Sequence, residues 1–363
     1  MGTVPPPDRQ RGGPVPLVSV LATGGTIASR ADPDGAATAQ DAGADLVAGL
    51  RLPADVHVRV RDVLRVGSFR MTLDRVHTLA RAVADELSDP EVAGVVVTHG
   101  TDTTEETAFF LDLFHGDARP VVVTGAQRAA DAPDSDGPRN LLDAVTAAAS
   151  DATRGLGVLI GFGGRLFPAR GTRKTHTLAA DTFANPYGGA LGWVHGGDVE
   201  VVTAPRRRPA LDLGAFDPTG VRVDVVPCYP DADATALRAF ADAGACGIVL
   251  EATGAGNANP AICAAVRELA DGDVVVVTST RVADGPVTPI YGDGGGIDLV
   301  AAGAVPTGLL RPSQARMLLV ALLGLHRDAE AIRAAFAEHA RTEPTTAGPT
   351  AARRDRTSRS RTS

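Results

Sequence analysis

Two threonine loops and one lysine are the residues of this chain best suited to chemistry. The first loop, Thr23-Gly24-Gly25-Thr26, follows an apolar run at 17–21. The second, Thr98-His99-Gly100-Thr101-Asp102, follows the run at 95–97. Lys174, in the stretch RGTRKTH at 170–176, is the single lysine among 363 residues, in a chain that otherwise uses arginine for its cations. Arginine stays charged at any working pH, whereas a desolvated lysine can give up its proton and act as a base. A threonine hydroxyl is a poor nucleophile until a neighbouring base takes its proton. Two strand-end threonines, an aspartate and one lysine therefore point to a hydroxyl nucleophile served by a hydroxyl–amine relay.

The loops themselves support that reading. Two glycines before Thr26 let the backbone approach a ligand while one hydroxyl is presented. The loop does not spell G-x-G-x-x-G and lacks the G-K-[ST] of a phosphate loop. In the second loop, Thr103 and Glu106 have the spacing of a capping box that starts a helix. The free N–H groups and positive dipole end of that helix would lie beside Thr101 and Asp102, where an anion or a developing oxyanion is stabilised. Helix capping alone also accounts for Asp102 and Thr103. There is no G-x-S-x-G nucleophile elbow and no zinc motif. His99, Arg173 and His176 read as structural neighbours of this chemistry.

Short apolar runs alternate with amphipathic segments. Strands are expected at 17–21, 56–66, 95–97, 121–123 and 157–160, and helices at 73–87, 105–114 and 140–149. That alternation predicts an α/β domain with a mainly parallel sheet. Ligands of such sheets sit at the carboxyl ends of strands, where both threonine loops fall. The stretch 203–220, rich in Pro and Arg, reads as a linker, with Arg206-Arg207-Arg208 as a solvated run. Beyond it the alternation resumes, with strands at 221–226, 247–250 and 274–277 and helices at 261–269 and 313–325. The expected organisation is a catalytic domain at 17–202, a linker at 203–220 and a smaller α/β domain at 221–341. Disordered tails are expected at 1–16 and 342–363.

Composition agrees with a globular chain, 44% hydrophobic and 21% charged. The net charge of −8 argues against generic nucleic-acid binding. Cys228, Cys246 and Cys263 are few, odd in number and not spaced as metal ligands, which suits inert thiols in a reducing compartment. No run approaches a membrane span and no apolar signal core precedes the first strand, so a cytoplasmic protein is expected.

TGGTIA (23–28) and THGTDTTEETAFFLDL (98–113) together resemble the two signature segments of the bacterial-type L-asparaginases and their glutaminase-asparaginase relatives. The similarity runs over roughly residues 17–341, through VTGAQRAADAPDSDGPRNLLDAV, RKTHT, GAGNANP and RPSQARMLLVALL. It implies two α/β domains, the larger N-terminal one with a mainly parallel, flavodoxin-like sheet. It implies hydrolysis of L-asparagine to L-aspartate and ammonia with no metal or cofactor. Thr26 would be the nucleophile; Thr101, Lys174 and Asp102 would form a second relay. Gly25, Ser68, Gly100, Thr101 and Asp102 would bind substrate, Ser68 taking the α-carboxylate and Asp102 the α-ammonium. Backbone at Thr101 and Ala126 would supply oxyanion donors. Asn259 would reach the site from a neighbouring subunit of a homodimer or homotetramer.

The sequence departs from the family at two places. The loop after the first signature contains no tyrosine, and Tyr291, in PIYGDGGG, is the candidate to replace that phenol beside Thr26; packing at a Gly-rich turn is its alternative role. Thr38 is a further candidate for the loop. Phe69 stands where many relatives carry a polar residue, removing one hydrogen bond to substrate. Three other functions remain open: a glutaminase-asparaginase of broader range, a non-catalytic amino-acid-binding module on the same fold, and a nucleotide-binding α/β protein. No nucleic-acid or membrane partner is expected.

Overall fold

A computed structural model describes residues 15–341 other than 33, 35 and 327. The tails expected to be disordered lie outside the described residues, apart from Val15 and Pro16.

Five parallel strands carry the larger unit: β1 (Leu17–Gly24), β2 (His57–Val66), β3 (Val92–Thr98), β4 (Val121–Thr124) and β5 (Val158–Phe162), in the order β2-β1-β3-β4-β5. This is a doubly wound order whose direction of winding reverses between β1 and β3, the crevice where such sheets bind ligands. Val18, Val20 and Leu21 of β1 and Val95–Val97 of β3 have essentially no exposed surface. Continuous β-branched runs of this kind suit strands covered on both faces. β2 is the edge strand, and its alternation of exposed and half-buried residues follows.

The helix α1 (Leu73–Ser88) buries Val76, Leu79, Ala80 and Val83, spaced three and four apart, and Thr72 accepts a hydrogen bond from Arg75 N at its start (3.3 Å). α2 (Thr104–Phe114) and α3 (Gly137–Ala148) complete the layers. Beyond β5 the sheet continues with Arg165–Pro168, Gly192–His195 and Asp198–Val201, all antiparallel. Strand–helix alternation could not foretell this extension, because hairpin-linked strands need no intervening helix.

The smaller unit is a four-stranded parallel sheet, ordered Val223–Pro227, Gly247–Ala252, Val275–Thr280 and Val305–Pro306. Its helix α4 (Pro312–Leu325) packs back onto the larger unit. Leu318 and Leu319 share one core cluster with Phe109 and Phe110 of α2. Fully burying each such side chain contributes about 1.5–3 kcal/mol, so the two sheets stabilise one another.

The stretch 203–220 carries neither helix nor strand. The arginine run within it is not simply solvated, however. Arg207 donates to His115 O and lies 3.8 Å from the Asp112 carboxylate; Arg208 donates to Arg341 O and pairs with Glu338 at 3.4 Å. Arg206 alone of the three is exposed.

Candidate active site

The two threonine loops meet at the switch point between β1 and β3. Gly25 has φ +82°, and a Cβ there would overlap Gly100 N, so the first loop rests on the bare backbone of the second. A Cβ at Gly100 would in turn come 2.6 Å from Ser68 Oγ. Hydrogen bonds fix this contact. Gly25 N donates to Val66 O (3.0 Å), Ser29 Oγ to Gly25 O (2.8 Å) and Thr23 Oγ1 to Thr98 O (2.7 Å).

The result is a cavity of about 220 Å³ lined by Thr26, Ser68, Phe69, Thr101 and Asp102, with Gly25, Gly100 and Thr38 at its walls. Thr26 lines the cavity, and its hydroxyl makes no hydrogen bond within the described residues. Phe69 is 75% exposed at the mouth. Ser68 is buried, its Oγ accepting from Asp102 N (3.2 Å).

Lys174 reaches this group from a two-residue strand paired with Phe183–Ala184. Its ammonium donates to Thr101 Oγ1 (2.8 Å) and to Asp102 Oδ1 (2.9 Å). The Thr101 hydroxyl spends its own proton on Gln127 Oε1 (2.8 Å). Gln127 is held by Thr177 O, which accepts from Nε2 at 3.2 Å, and by Asp136, whose two carboxylate oxygens each accept from Gln127 N at 3.1 Å. Sequence reading did not single out Gln127, although it directly follows Ala126 in the loop after β4.

A second clamp holds the lysine's backbone. Glu105 accepts from Lys174 N with one oxygen (2.8 Å) and from Ser313 Oγ of α4 with the other (2.6 Å). Next to it, buried Gln314 donates to Ala169 O (2.9 Å) and Thr172 O (3.2 Å) and accepts from Gly171 N (2.8 Å). A helix of the smaller unit thus fixes the segment that carries the lysine. Only the three-dimensional path of the chain reveals Glu105, Ser313 and Gln314 as a set.

The capping box expected at Thr103 and Glu106 does not form. Thr103 Oγ1 donates instead to Ser68 O (2.9 Å), tying the helix start to the Ser68 segment. Glu106 turns inward, and its Oε2 is sealed without a partner. Burial, reinforced by the neighbouring Glu105, pushes its carboxyl up to about 7. His99 is fully buried, and desolvation pulls it down to about 4. A neutral ring with Nδ1 2.8 Å from Gly100 O donates its proton there, so His99 holds the loop rather than titrating beside substrate.

Three expected site residues stand apart from the cavity. Ala126 is completely buried and packs in the cluster containing Ile27. Tyr291 lies at a Gly-rich turn of the smaller unit, 59% exposed, and does not line the cavity of its own chain. Asn259 lies in the smaller unit, at the start of a helix. Its Oδ1 caps the helix Pro260–Asp271 by accepting from Ile262 N (3.0 Å), and its Nδ2 donates to Ala232 O (2.7 Å). The Cys228, Cys246 and Cys263 thiols are free, and burial pushes Cys228 up to about 11.

Comparison with known proteins identifies the family. Residues 17–207 match the family described as "Asparaginase, N-terminal", and residues 222–336 the "Glutaminase/Asparaginase C-terminal domain". A probable L-asparaginase of Deinococcus radiodurans is 38% identical, the match covering 89% of this chain and 98% of that protein. The L-asparaginase of Bacillus licheniformis is 35% identical over 86% of this chain and 96% of its own length. A crystal structure of a probable cytoplasmic L-asparaginase from Campylobacter jejuni superposes with a TM-score of 0.77 at 30% identity, covering 88% of this chain and 99% of that one. With both family domains matched in order and the two threonine loops joined at the switch point, the chain belongs to the asparaginase family.

Proposed function

We propose that the chain hydrolyses the side-chain amide of L-asparagine, giving L-aspartate and ammonia, with Thr26 as the nucleophile. The observation that carries the mechanism is the 2.8 Å contact of Lys174 Nζ with Thr101 Oγ1, beside a cavity lined by Thr26. Relatives named L-asparaginase supply the substrate. A cavity of about 220 Å³ suits a small amino acid, being smaller than the roughly 300–1,000 Å³ typical of larger ligands.

In this reading Ser68 receives the α-carboxylate and the exposed side of Asp102 the α-ammonium. The substrate's ammonium then competes with Lys174 for Asp102. Thr26 Oγ attacks the amide carbon, backbone N–H groups stabilise the oxyanion, and the C–N bond breaks as ammonia leaves with a proton. Water then cleaves the ester, releasing aspartate and restoring Thr26. The Thr101–Lys174 relay moves protons on one side of the reacting carbon. On the other, we assign the exposed Tyr291 phenol of a second copy of the chain to the Thr26 proton. That assignment makes the working form a homodimer or homotetramer, with a division at 203–220 between a catalytic domain (17–202) and a smaller domain (221–341). A cytoplasmic location fits the neighbour from Campylobacter jejuni, and no helix among the described residues is long and apolar enough to cross a membrane.

Ammonia release from L-asparagine and L-glutamine, at micromolar and millimolar concentrations, tests this reading. One methylene separates the substrates and is worth about 1–3 kcal/mol of discrimination. Release from asparagine at the lower concentrations is expected. Binding of asparagine in a calorimeter with no ammonia at any concentration would instead make the chain an amino-acid-binding module.

A further inference from the structure

The chain holds a second polar cavity, away from the threonine loops, walled by arginine. It has two adjoining lobes of about 340 and 200 Å³ that share Arg170, Tyr187 and Arg206–Arg208. Arg341, from the end of the helix Ala329–Ala340, closes one lobe, and His339 lines the other.

The charges there do not balance. Among the described residues, Arg170 and Arg206–Arg208 bring four guanidinium groups to the cavity against the carboxylates of Asp112 and Glu338, the second of which also pairs with Arg341. Asp112 is half-buried, and desolvation raises its pKa, further weakening the negative side. Glu338 is divided between Arg208 (3.4 Å) and Arg341 (2.8 Å). Arg170 lies over the Phe109 ring at 5.4 Å and donates to the carbonyl of His339 (2.6 Å), and it shares the Asp112 carboxylate with Arg207 as its counter-charge. Arg207 Nε, Tyr187 Oη and His339 Nδ1 are sealed from solvent with no hydrogen-bond partner among the described residues. Arg206 makes no hydrogen bond or ion pair within the described residues. Concentrating like charge and unmet donors in one place is costly unless an anion joins them.

We propose that this cavity is a binding site for a small phosphate dianion, either free phosphate or a phosphate monoester whose organic part fills the apolar lobe. Guanidinium forks bind tetrahedral oxyanions through paired N–H···O bonds, which favours phosphate over chloride. Leu113, Leu156 and Leu191 line the larger lobe, giving a monoester's carbon skeleton somewhere to lie. The lysine-bearing segment begins here, since Arg170 and Gly171 line the cavity and Gly171 N is held by Gln314.

Isothermal titration of the full chain with inorganic phosphate, adenosine monophosphate and sodium chloride at matched ionic strength tests the proposal. Saturable binding of phosphate is expected, with none of chloride. Tighter binding of the nucleotide would identify a monoester as the occupant; equal or weaker binding would identify free phosphate. Arg206→Gln, at an exposed residue without protein partners, should fold normally and weaken phosphate about tenfold; Arg208→Gln should do the same. Absence of a saturable phosphate signal would overturn the proposal. So would unchanged affinity in both folded variants, which would place the anion elsewhere. Asparagine turnover is read separately in the same preparations, so a failure here is distinguishable from a failure of the amidohydrolase reading.

Discussion

Lys174 Nζ donates to Thr101 Oγ1 at 2.8 Å while the Thr101 hydroxyl points its proton at Gln127 Oε1, also at 2.8 Å. The proposed relay therefore runs through three side chains, of which the lysine and its threonine are only two. In the observed state the ammonium supplies the protons. For catalysis the direction must be reversible, which an amine permits and a guanidinium does not.

Lys174→Arg keeps a cation beside Asp102 but removes a group able to take up and release a proton. It should lower kcat by about 10²–10⁴-fold, the usual worth of a general base, with thermal stability little changed. Steady-state kinetics beside a melting curve would check this. Turnover within threefold of the parent would show that the lysine serves only as a fixed charge.

Gln127→Leu removes the acceptor of the Thr101 proton. Thr101 Oγ1 then keeps a donor hydrogen with no partner in a buried place, which costs on the order of 1–3 kcal/mol and disorders the relay. The expected result is a kcat reduced about tenfold or more with KM nearly unchanged. A rise in KM alone would mean that Gln127 shapes substrate binding and not the relay.

Gly25→Ala places a Cβ at φ +82°, against Gly100 N. Strain in that region costs about 1–3 kcal/mol before the overlap is counted. A clear drop in melting temperature is expected, together with loss of activity, because the two threonine loops must separate. Gly49→Ala is the control, since a Cβ there meets nothing within 4 Å.

The Glu106 carboxyl is raised from 4.5 to about 7 by burial. A raised folded-state pKa means that its protonated form is favoured in the native chain. That stability is fully present below pH 4.5 and is lost as pH rises toward 7, to a limit of about 3 kcal/mol. Glu106→Gln should therefore raise the melting temperature at pH 8 and leave it nearly unchanged at pH 4.5. His99 acts with the opposite sign: lowered to about 4, it costs stability as pH falls from 6.5 to 4. Melting curves of both proteins across pH 4–8 would separate the two contributions. An equal gain at both ends of the range would assign the effect to packing.

The chain's own pattern carried most of the parallel sheet and the position of both threonine loops. Buried valine runs ending in Gly-Thr turns announce strand ends that must present something, and a lone lysine among arginines stands out by type. What stayed hidden depends on distant neighbours. Arg173–Lys174 is a strand of two residues, too short for any periodicity. Glu105 looks like an ordinary first-turn acid until its carboxylate is seen bridging Lys174 N and Ser313 Oγ. Thr103 and Glu106 have capping-box spacing, but Ser68 O competes for the Thr103 hydroxyl and wins. Arg207 and Arg208 read as solvated until Asp112, His115 and Glu338 arrive from elsewhere in the chain.

The most direct test of the central claim is to mix the protein with L-asparagine, quench within milliseconds in acid, and map the covalent adduct by peptide mass spectrometry. A β-aspartyl ester on Thr26, absent from Thr26→Ala and accumulating in Lys174→Arg, is the result predicted here. An ester on Thr101, or steady ammonia release from Thr26→Ala, would contradict it and move the nucleophile to the other loop.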